Sequence, residues 1–356
     1  MDAALTDLRA EIEADRERLL LLCAELVEQP SVNPPGDTAG PAAIVYRCLE
    51  QHGLAPRVVA SVPHMPNVVA SCVGSGAGPH LILNVHLDTM EPGDEAAWTV
   101  PLFRGTRRDG RVFGLGAGNM KGAVAAMLSA FLALARHRDV WPGRVTLAAV
   151  ADEVVFGDHG AAHLLSEDLD LVGDGILCGE GPGFMRLGVG EKGLLWIELR
   201  ASGEGGHASS VEQGRSAVVR MAEAIRAVDG LNGNDIEPPA ALAHALPPGH
   251  PARHLTVNVG TIQGGTVANQ IARLVTAVLD ARVPPGLDLH QFEHEVARRV
   301  QPFAVGVRRI KGWEANWTDP EHPLARAVRQ AATAVRGEPP EDVVRLPASD
   351  ASRWRA

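Results

Sequence analysis

Several stretches of this chain carry side chains whose types and spacing can do chemistry. In His86-Leu87-Asp88 an imidazole can bind a metal while a carboxylate two residues on orients its other ring nitrogen. Standing alone, the same triplet also fits a histidine that caps a strand. His207 lies in Gly205-Gly206-His207-Ala208-Ser209, a Gly-rich turn of the kind that exposes a side chain on a surface loop. The run Gly114-Leu115-Gly116-Ala117-Gly118 ahead of Lys121-Gly122 invites comparison with a phosphate cradle, but it lacks the GxxxxGK[ST] spacing, and nucleotide binding is set aside. His159 and His163 stand four apart on a predicted helix, as paired ligands would. With no clear acidic third ligand they read as surface histidines.

These residues need a frame. At 356 residues the chain is long for one compact core and suits two domains, or one domain with a large insertion. Leu5, Leu8, Ile12, Leu19, Leu22 and Leu26 predict an opening helix over 5–28, ended by Pro30, Pro34, Pro35 and Gly36. Short strands then alternate with helices: strands near 55–62, 67–73 and 80–85, a helix over 121–137, and strands at 144–151 and 174–179. Such alternation predicts an α/β fold, a mostly parallel sheet flanked by helices, with its ligand site beyond the carboxyl ends of the strands. After Gly188 the order becomes strand (193–201), helix (216–229), two strands (254–264, 272–282), helix (289–300) and a final strand, which is the ferredoxin-like β-α-β-β-α-β order. The expected domains are therefore 1–188, an inserted 189–315, and 316–356 returning to the first. Residues 230–251 read as a long loop.

Composition narrows the function classes. Hydrophobic residues at 46% and charged ones at 21% are ordinary for a globular protein. A formal charge of −10, with no long Lys/Arg cluster, argues against a nucleic-acid partner and for a small molecule. Cys23, Cys48, Cys72 and Cys178 stand singly without a CxxC pair, as buried free thiols do. The acidic amino terminus lacks the basic start of a secretory signal, and no apolar run of about 18 residues stands out as a membrane span. A cytoplasmic protein without a membrane partner is expected.

The segment from His86 to Gly122 closely resembles the signature of the M20 family of zinc aminoacylases and carboxypeptidases. It contains His86-x-Asp88, Pro92-Gly93-Asp94, Trp98, Pro101, Phe103, Asp109-Gly110 and the Gly114–Gly122 run. Further on, Asp152-Glu153-Val154 resembles the family's DEE segment and Gly179-Glu180-Gly181-Pro182 its GEPT element. Positions 86, 119, 153, 154 and 180 are separated by 33, 34, 1 and 26 residues, very nearly the family's spacing. Gly206-His207-Ala208-Ser209 resembles its GHxS, while Asn258, Gly264-Gly265, Asn269 and Arg282 resemble its NVGxIxGGxxxN and DxRxPP elements.

This resemblance implies a zinc-peptidase-like first domain and an inserted lid and dimerisation domain. It also implies a hydrolase that cleaves an N-acyl amino acid or small peptide with a free carboxylate, using a metal-activated water. In that scheme His86 and Glu180 bind one ion, oriented by Asp88, residue 119 bridges to a second, and residue 154 with a carboxyl-terminal histidine completes it. Glu153 is the general base. His207 polarises the scissile carbonyl in the partner subunit of a homodimer, and Asn269 and Arg282 hold the substrate carboxylate.

The chain departs from the pattern at the ligands. Asn119 stands where the bridging aspartate is expected, and a neutral amide is a weak ligand; Val154 replaces a glutamate and binds nothing. The sequence stops at Ser349-Asp350-Ala351-Ser352-Arg353-Trp354-Arg355-Ala356, before the position expected for the last histidine. The expectation is thus at most one Zn2+, on His86, Glu180 and weakly Asn119, or none. It includes a shortened returning domain with marginal solubility. A non-hydrolytic acid-base reaction without zinc stands as the alternative.

Overall fold

A computed structural model describes residues 2–167 and 169–355. It is of the α/β class. The chain opens with helices α1 (Asp2–Ala14), α2 (Arg16–Val27) and α3 (Ala39–Gln51). The single helix expected over 5–28 is two, because Asp15 leaves the helical region (ψ 7°). Aspartate is at home in such a flanking position and poor within a helix. Strands β1 (Arg57–Val59), β2 (Asn67–Val73) and β3 (His80–His86) follow, then the hairpin β4 (Thr106–Arg108) and β5 (Arg111–Phe113). Asp109 and Gly110 turn that hairpin with φ of 54° and 68°, a conformation that Asp-Gly tolerates. Helix α4 (Gly122–Arg136), β6 (Arg144–Val150), α5 (Ala161–Glu167) and β7 (Gly175–Cys178) complete the run.

The strands form one sheet in the order β1-β2-β6-β3-β7. Its centre, β6-β3-β7, is parallel as expected, whereas β2 runs antiparallel to β6 and β1 to β2. The sheet is mixed because short loops on either side of β2, residues 60–66 and 74–79, each reverse the chain, so that β2 runs against both β1 and the parallel pair β3 and β6. Alternate side chains fill two cores. Val68, Ala70, Leu83, Val85 and Leu147 face α2, α3 and α4 through Leu26, Val45, Leu49, Leu128 and Phe131. Val69, Ile82, Ala148 and Val150 face α5 through Leu164. Burial on both faces explains why the end of β6, Leu147 to Val150, is continuously apolar rather than alternating.

Ala117–Arg136 is long and apolar enough by composition to cross a membrane. Its backbone leaves the helix at Asn119 and Met120, and α4 buries Val124, Leu128, Phe131 and Leu132 against the sheet, which accounts for its hydropathy.

A second compact unit begins at Pro182. It contains β8 (Arg186–Glu191), β9 (Gly193–Ser202), α6 (Ala217–Asp229), β10 (Thr256–Gly264), β11 (Leu274–Val283), α7 (Leu289–Val300), β12 (Val305–Trp313), β13 (Asn316–Trp317), α8 (Pro323–Arg336) and β14 (Glu341–Arg345). Strands β9 to β12 form an antiparallel sheet in the order β10-β11-β9-β12, the ferredoxin-like arrangement. Leu195, Ile197, Leu199 and Ala201 of β9 meet Met221, Ala224 and Val228 of α6 and Phe292, Val296 and Val300 of α7. The spacing of three and four on both helices makes that stripe. Asp288 caps α7, accepting from the Gln291 amide at 2.9 Å.

The units comprise residues up to Gly181 with Ser349–Trp354, and Pro182–Ala348 with Arg355. These limits differ from 188 and 315 because β8 pairs with β13 and with β14. That three-stranded sheet packs Val189 and Val344 on Leu242, Leu246 and Ala252 of the long 230–253 connection. Only Ser349–Trp354, rather than the whole of 316–356, returns to the first unit.

Candidate metal centre

The parallel strands β6, β3 and β7 lie side by side, and each delivers one polar residue just beyond or at its carboxyl end: Glu153, His86 and Glu180. Their ligand atoms all lie within 4.8 Å of one another. Neighbouring parallel strands in register make this convergence possible for residues far apart in sequence.

His86 is 1% exposed. Its Nδ1 lies 3.0 Å from the Asp88 carbonyl oxygen and 3.3 Å from Asp88 Oδ1. Its Nε2 lies 3.1 Å from Asn119 Oδ1 and 3.6 Å from Glu153 Oε2. The Asp88 carboxylate is in turn fixed by Asn33 Nδ2 at 2.8 Å and by the Glu153 and Val154 amides at 3.2 and 3.0 Å. Asp88 thus ties the end of β3 to the loop after β6, orienting both the imidazole and the Glu153 backbone. The Val154 side chain offers no donor.

Asp152 anchors the same loop. Its φ of 61° is the left-handed conformation that aspartate tolerates better than most residues. Its carboxylate accepts from Asn33 Nδ2 at 3.1 Å and from the His159 amide at 3.2 Å. Of the two histidines weighed as paired ligands, His159 places Nδ1 2.8 Å from Ser61 Oγ. Lys121 is buried, with its Nζ 2.5 Å from the Gln29 carbonyl oxygen.

The electrostatics are those of a site short of positive charge. Burial disfavours a charged His86, but the Glu153, Asp88 and Glu180 carboxylates outweigh it and push the imidazole up to about 10. Burial, reinforced by Glu180, Asp350 and Asp88, holds the Glu153 carboxyl well above its usual range despite His86. Burial also opposes the Asp88 charge, but His86 and Asn33 keep that carboxyl low. Asp350 lies in the segment that returns to this unit; burial pushes its carboxyl up to about 7, with Asp88 and Glu180 adding and His86 opposing. Sequence reasoning singled out Ser349-Asp350-Ala351 but gave Asp350 no role, since nothing local relates it to β3 or β6.

His86, Asp88, Asn119, Glu153 and Glu180 are brought together, whereas His207, Asn269 and Arg282 belong to the second unit. His207 is exposed, with Nδ1 2.8 Å from Ser209 Oγ, and the Ala208 amide donates to the Asn269 carbonyl at 2.9 Å. His207 lines a cleft with Gly264, Gly265, Thr266, Gln270 and Arg273. Arg282, on β11, donates to both carboxylate oxygens of Asp280 at 2.8 and 3.0 Å.

Residues 82–355 match the model of peptidase family M20/M25/M40. A succinyl-diaminopimelate desuccinylase from Granulibacter bethesdensis is 29% identical over 334 residues, covering 89% of this chain and 80% of that protein. One from Xylella fastidiosa is 28% identical over 342 residues, covering 93% and 85%. Among solved structures, an M20 family metallo-carboxypeptidase from Sulfolobus solfataricus superposes with a TM-score of 0.74 at 18% identity, covering 95% of this chain and 89% of that one. A tripeptidase from Staphylococcus aureus gives 0.74 at 20%, covering 95% and 86%. A dinuclear metal-binding M20 peptidase from Bacillus subtilis gives 0.66 at 15%, covering 96% and 86%.

Proposed function

Because this chain belongs to peptidase family M20/M25/M40, we propose that it hydrolyses an amide bond in an N-acyl amino acid or small peptide bearing a free carboxylate. The observation that carries this reading is the convergence of His86, Glu153 and Glu180 at the ends of three adjacent parallel strands. The relatives compared above bear the names of amide-bond hydrolases, a desuccinylase, a carboxypeptidase and a tripeptidase, so the non-hydrolytic alternative finds no support.

A two-ion centre does not fit these residues. Asn119 presents a neutral carboxamide where a bridging carboxylate is needed, and Val154 has no ligand atom. One divalent cation such as Zn2+ does fit: a buried imidazole and two carboxylates place their ligand atoms within 4.8 Å of one another. His86 and Glu180 would hold it, with Asn119 Oδ1 beside His86 as a weak third donor. When bound, such an ion acidifies water and polarises a carbonyl.

The residues of the chain do the rest. Glu153 takes the proton from the attacking water and returns it to the leaving nitrogen. Burial and neighbouring carboxylates favour its protonated form, which suits the second of these steps. Asp88 holds the His86 ring and, through the amide of Glu153, the base itself. We assign His207, from the partner of a homodimer, to the developing oxyanion, and Asn269 and Arg282 to the substrate carboxylate. Arg282 would share its guanidinium between Asp280 and substrate. The ferredoxin-like unit would act as lid and dimerisation domain, in a cytoplasmic protein.

Glu153→Gln tests the assignment. N-acetyl and N-succinyl amino acids and dipeptides are assayed with the zinc-supplemented protein. Loss of at least about 100-fold in kcat, within the range for a general base, is expected with zinc binding retained. Unchanged turnover of a substrate hydrolysed by the wild type would remove Glu153 from the mechanism.

A further inference from the structure

Within the second unit, the turn that carries His207 is fastened along its length to the segment leading into β11. The Gly203 amide donates to the Arg273 carbonyl at 2.8 Å, the Ile271 amide to the Gly206 carbonyl at 2.8 Å, and the Ala208 amide to the Asn269 carbonyl at 2.9 Å. These bonds fix where His207 and Arg273 emerge, and both line one cleft of about 640 Å3 with Gly264, Gly265, Thr266 and Gln270. Gly205 lets the arginine lie there. A Cβ on it would stand 2.3 Å from Arg273 Nε and 2.7 Å from its Cγ, and its φ of 74° is one that suits glycine.

The charge in this cleft is unbalanced. Acidic residues outnumber basic ones in the chain, 43 to 33, yet no carboxylate lines the cleft. The two acids flanking the turn, Glu204 and Glu212, are both held by Arg215, at 2.5 and 2.8 Å. Arg273 is exposed, and among the described residues its guanidinium makes neither an ion pair nor a hydrogen bond. Arg282, by contrast, already gives two hydrogen bonds to Asp280. A planar fork of N–H donors in a cleft without acid is suited to receive a carboxylate. What sets Arg273 apart from a solvated surface arginine is that it shares this cleft with His207, the residue assigned to the developing oxyanion.

We infer that Arg273 is a specificity-determining residue that takes a second carboxylate of the substrate, besides the one given to Asn269 and Arg282. The preferred substrate is then a dianion, an N-acyl amino acid or small peptide whose acyl group or side chain ends in a further carboxylate. Either source presents the same group to the guanidinium. Arg273 acts on binding and orientation, and touches no reacting atom. This inference rests on the reading that sets His207 at the scissile carbonyl.

The test compares N-succinyl-leucine, N-acetyl-glutamate and N-acetyl-leucine, which carry the second carboxylate on the acyl group, on the side chain and not at all. Affinity is measured by calorimetry on the zinc-supplemented Glu153→Gln protein, and kcat and KM on the wild type, each with and without Arg273→Met. Preference for one diacid is expected. Arg273→Met should weaken that diacid at least about fivefold, the upper end for an exposed ion pair, and N-acetyl-leucine by less than about twofold. In turnover the loss should fall on KM more than on kcat. Arg273→Lys, which keeps the charge without the fork, should recover part of the preference. Gly205→Ala, which pushes the Arg273 side chain aside, should lower the diacid-to-monoacid ratio with Arg273 still present. Which diacid responds identifies the source of the carboxylate. No preference for either diacid over N-acetyl-leucine, or an equal loss for all three probes in Arg273→Met, overturns the inference. Diacid binding that depends on Arg273 without turnover by the wild type sinks only the hydrolase reading, while turnover indifferent to Arg273 sinks only this inference.

Discussion

At the scale of single residues, Asp88 shows how one carboxylate can do two jobs. It faces the imidazole with one oxygen and collects the backbone amides of Glu153 and Val154 along with the Asn33 amide. Asp88→Asn keeps the shape but turns an acceptor into a donor on one side, so buried N–H groups lose their partner. Zinc affinity should fall about 10- to 100-fold, as for other groups that orient a ligating histidine, and competition titration against wild type measures it. An unchanged affinity would mean that the backbone carbonyl of Asp88 alone suffices to set the ring. Of these groups, the sequence made His86, Asp88, Asn119, Glu153 and Glu180 legible, because the signature resemblance rests on local triplets and their spacing. The burial of Asp350 was not legible, because the elements that cover it lie far away in the chain.

Elements decide how accurately those residues are aimed. The loop after β6 carries Glu153 and is held at Asp152, whose left-handed backbone and carboxylate both depend on the short approach of Gly157. A Cβ on Gly157 would lie 1.8 Å from Asp152 Oδ2, so no rotation of the added methyl relieves it. Gly157→Ala should therefore displace the Asp152 carboxylate from Asn33 and the His159 amide. A loss of about 1–3 kcal/mol is expected, visible as a lower Tm, with kcat falling as the loop shifts Glu153. Full retention of both would show that the loop tolerates rearrangement. Periodicity predicted β2, β3, α4, β6 and β7 close to where they stand. It could not show that β2 runs antiparallel, since strand direction depends on connections and pairing rather than on side-chain alternation.

For the molecule as a whole, buried charge outside the centre makes stability depend on pH. Lys192 is 2% exposed, with Nζ 2.5 Å from the His254 carbonyl; burial, with Arg282 nearby, pulls its amine down to about 8. The folded value lies below the usual 10.5, so between about 8 and 10.5 the unfolded chain binds more protons than the folded one. Stability from this group therefore rises with pH across that window and is flat below it. Urea unfolding at pH 8 and pH 10 should show a difference between wild type and Lys192→Met that is larger at the lower pH. An equal difference at both would place the amine's titration elsewhere.

The alternation of strands and helices in the first unit, the ferredoxin-like order in the second and the presence of Asn119 and Val154 within the signature-like segments were legible in the sequence alone, because period, turn residues and motif spacing are local properties of the chain. Tertiary structure decided three matters. It moved the limits of the second unit, because β8 pairs with strands from after residue 315. It showed that Ala117–Arg136 owes its hydropathy to a core. It also buried Asp350 in the first unit, where its carboxyl and that of Glu153 feel one another's charge. Each of these depends on which distant segments pack together, and a carboxylate's surroundings, unlike its position in the chain, exist only once they do.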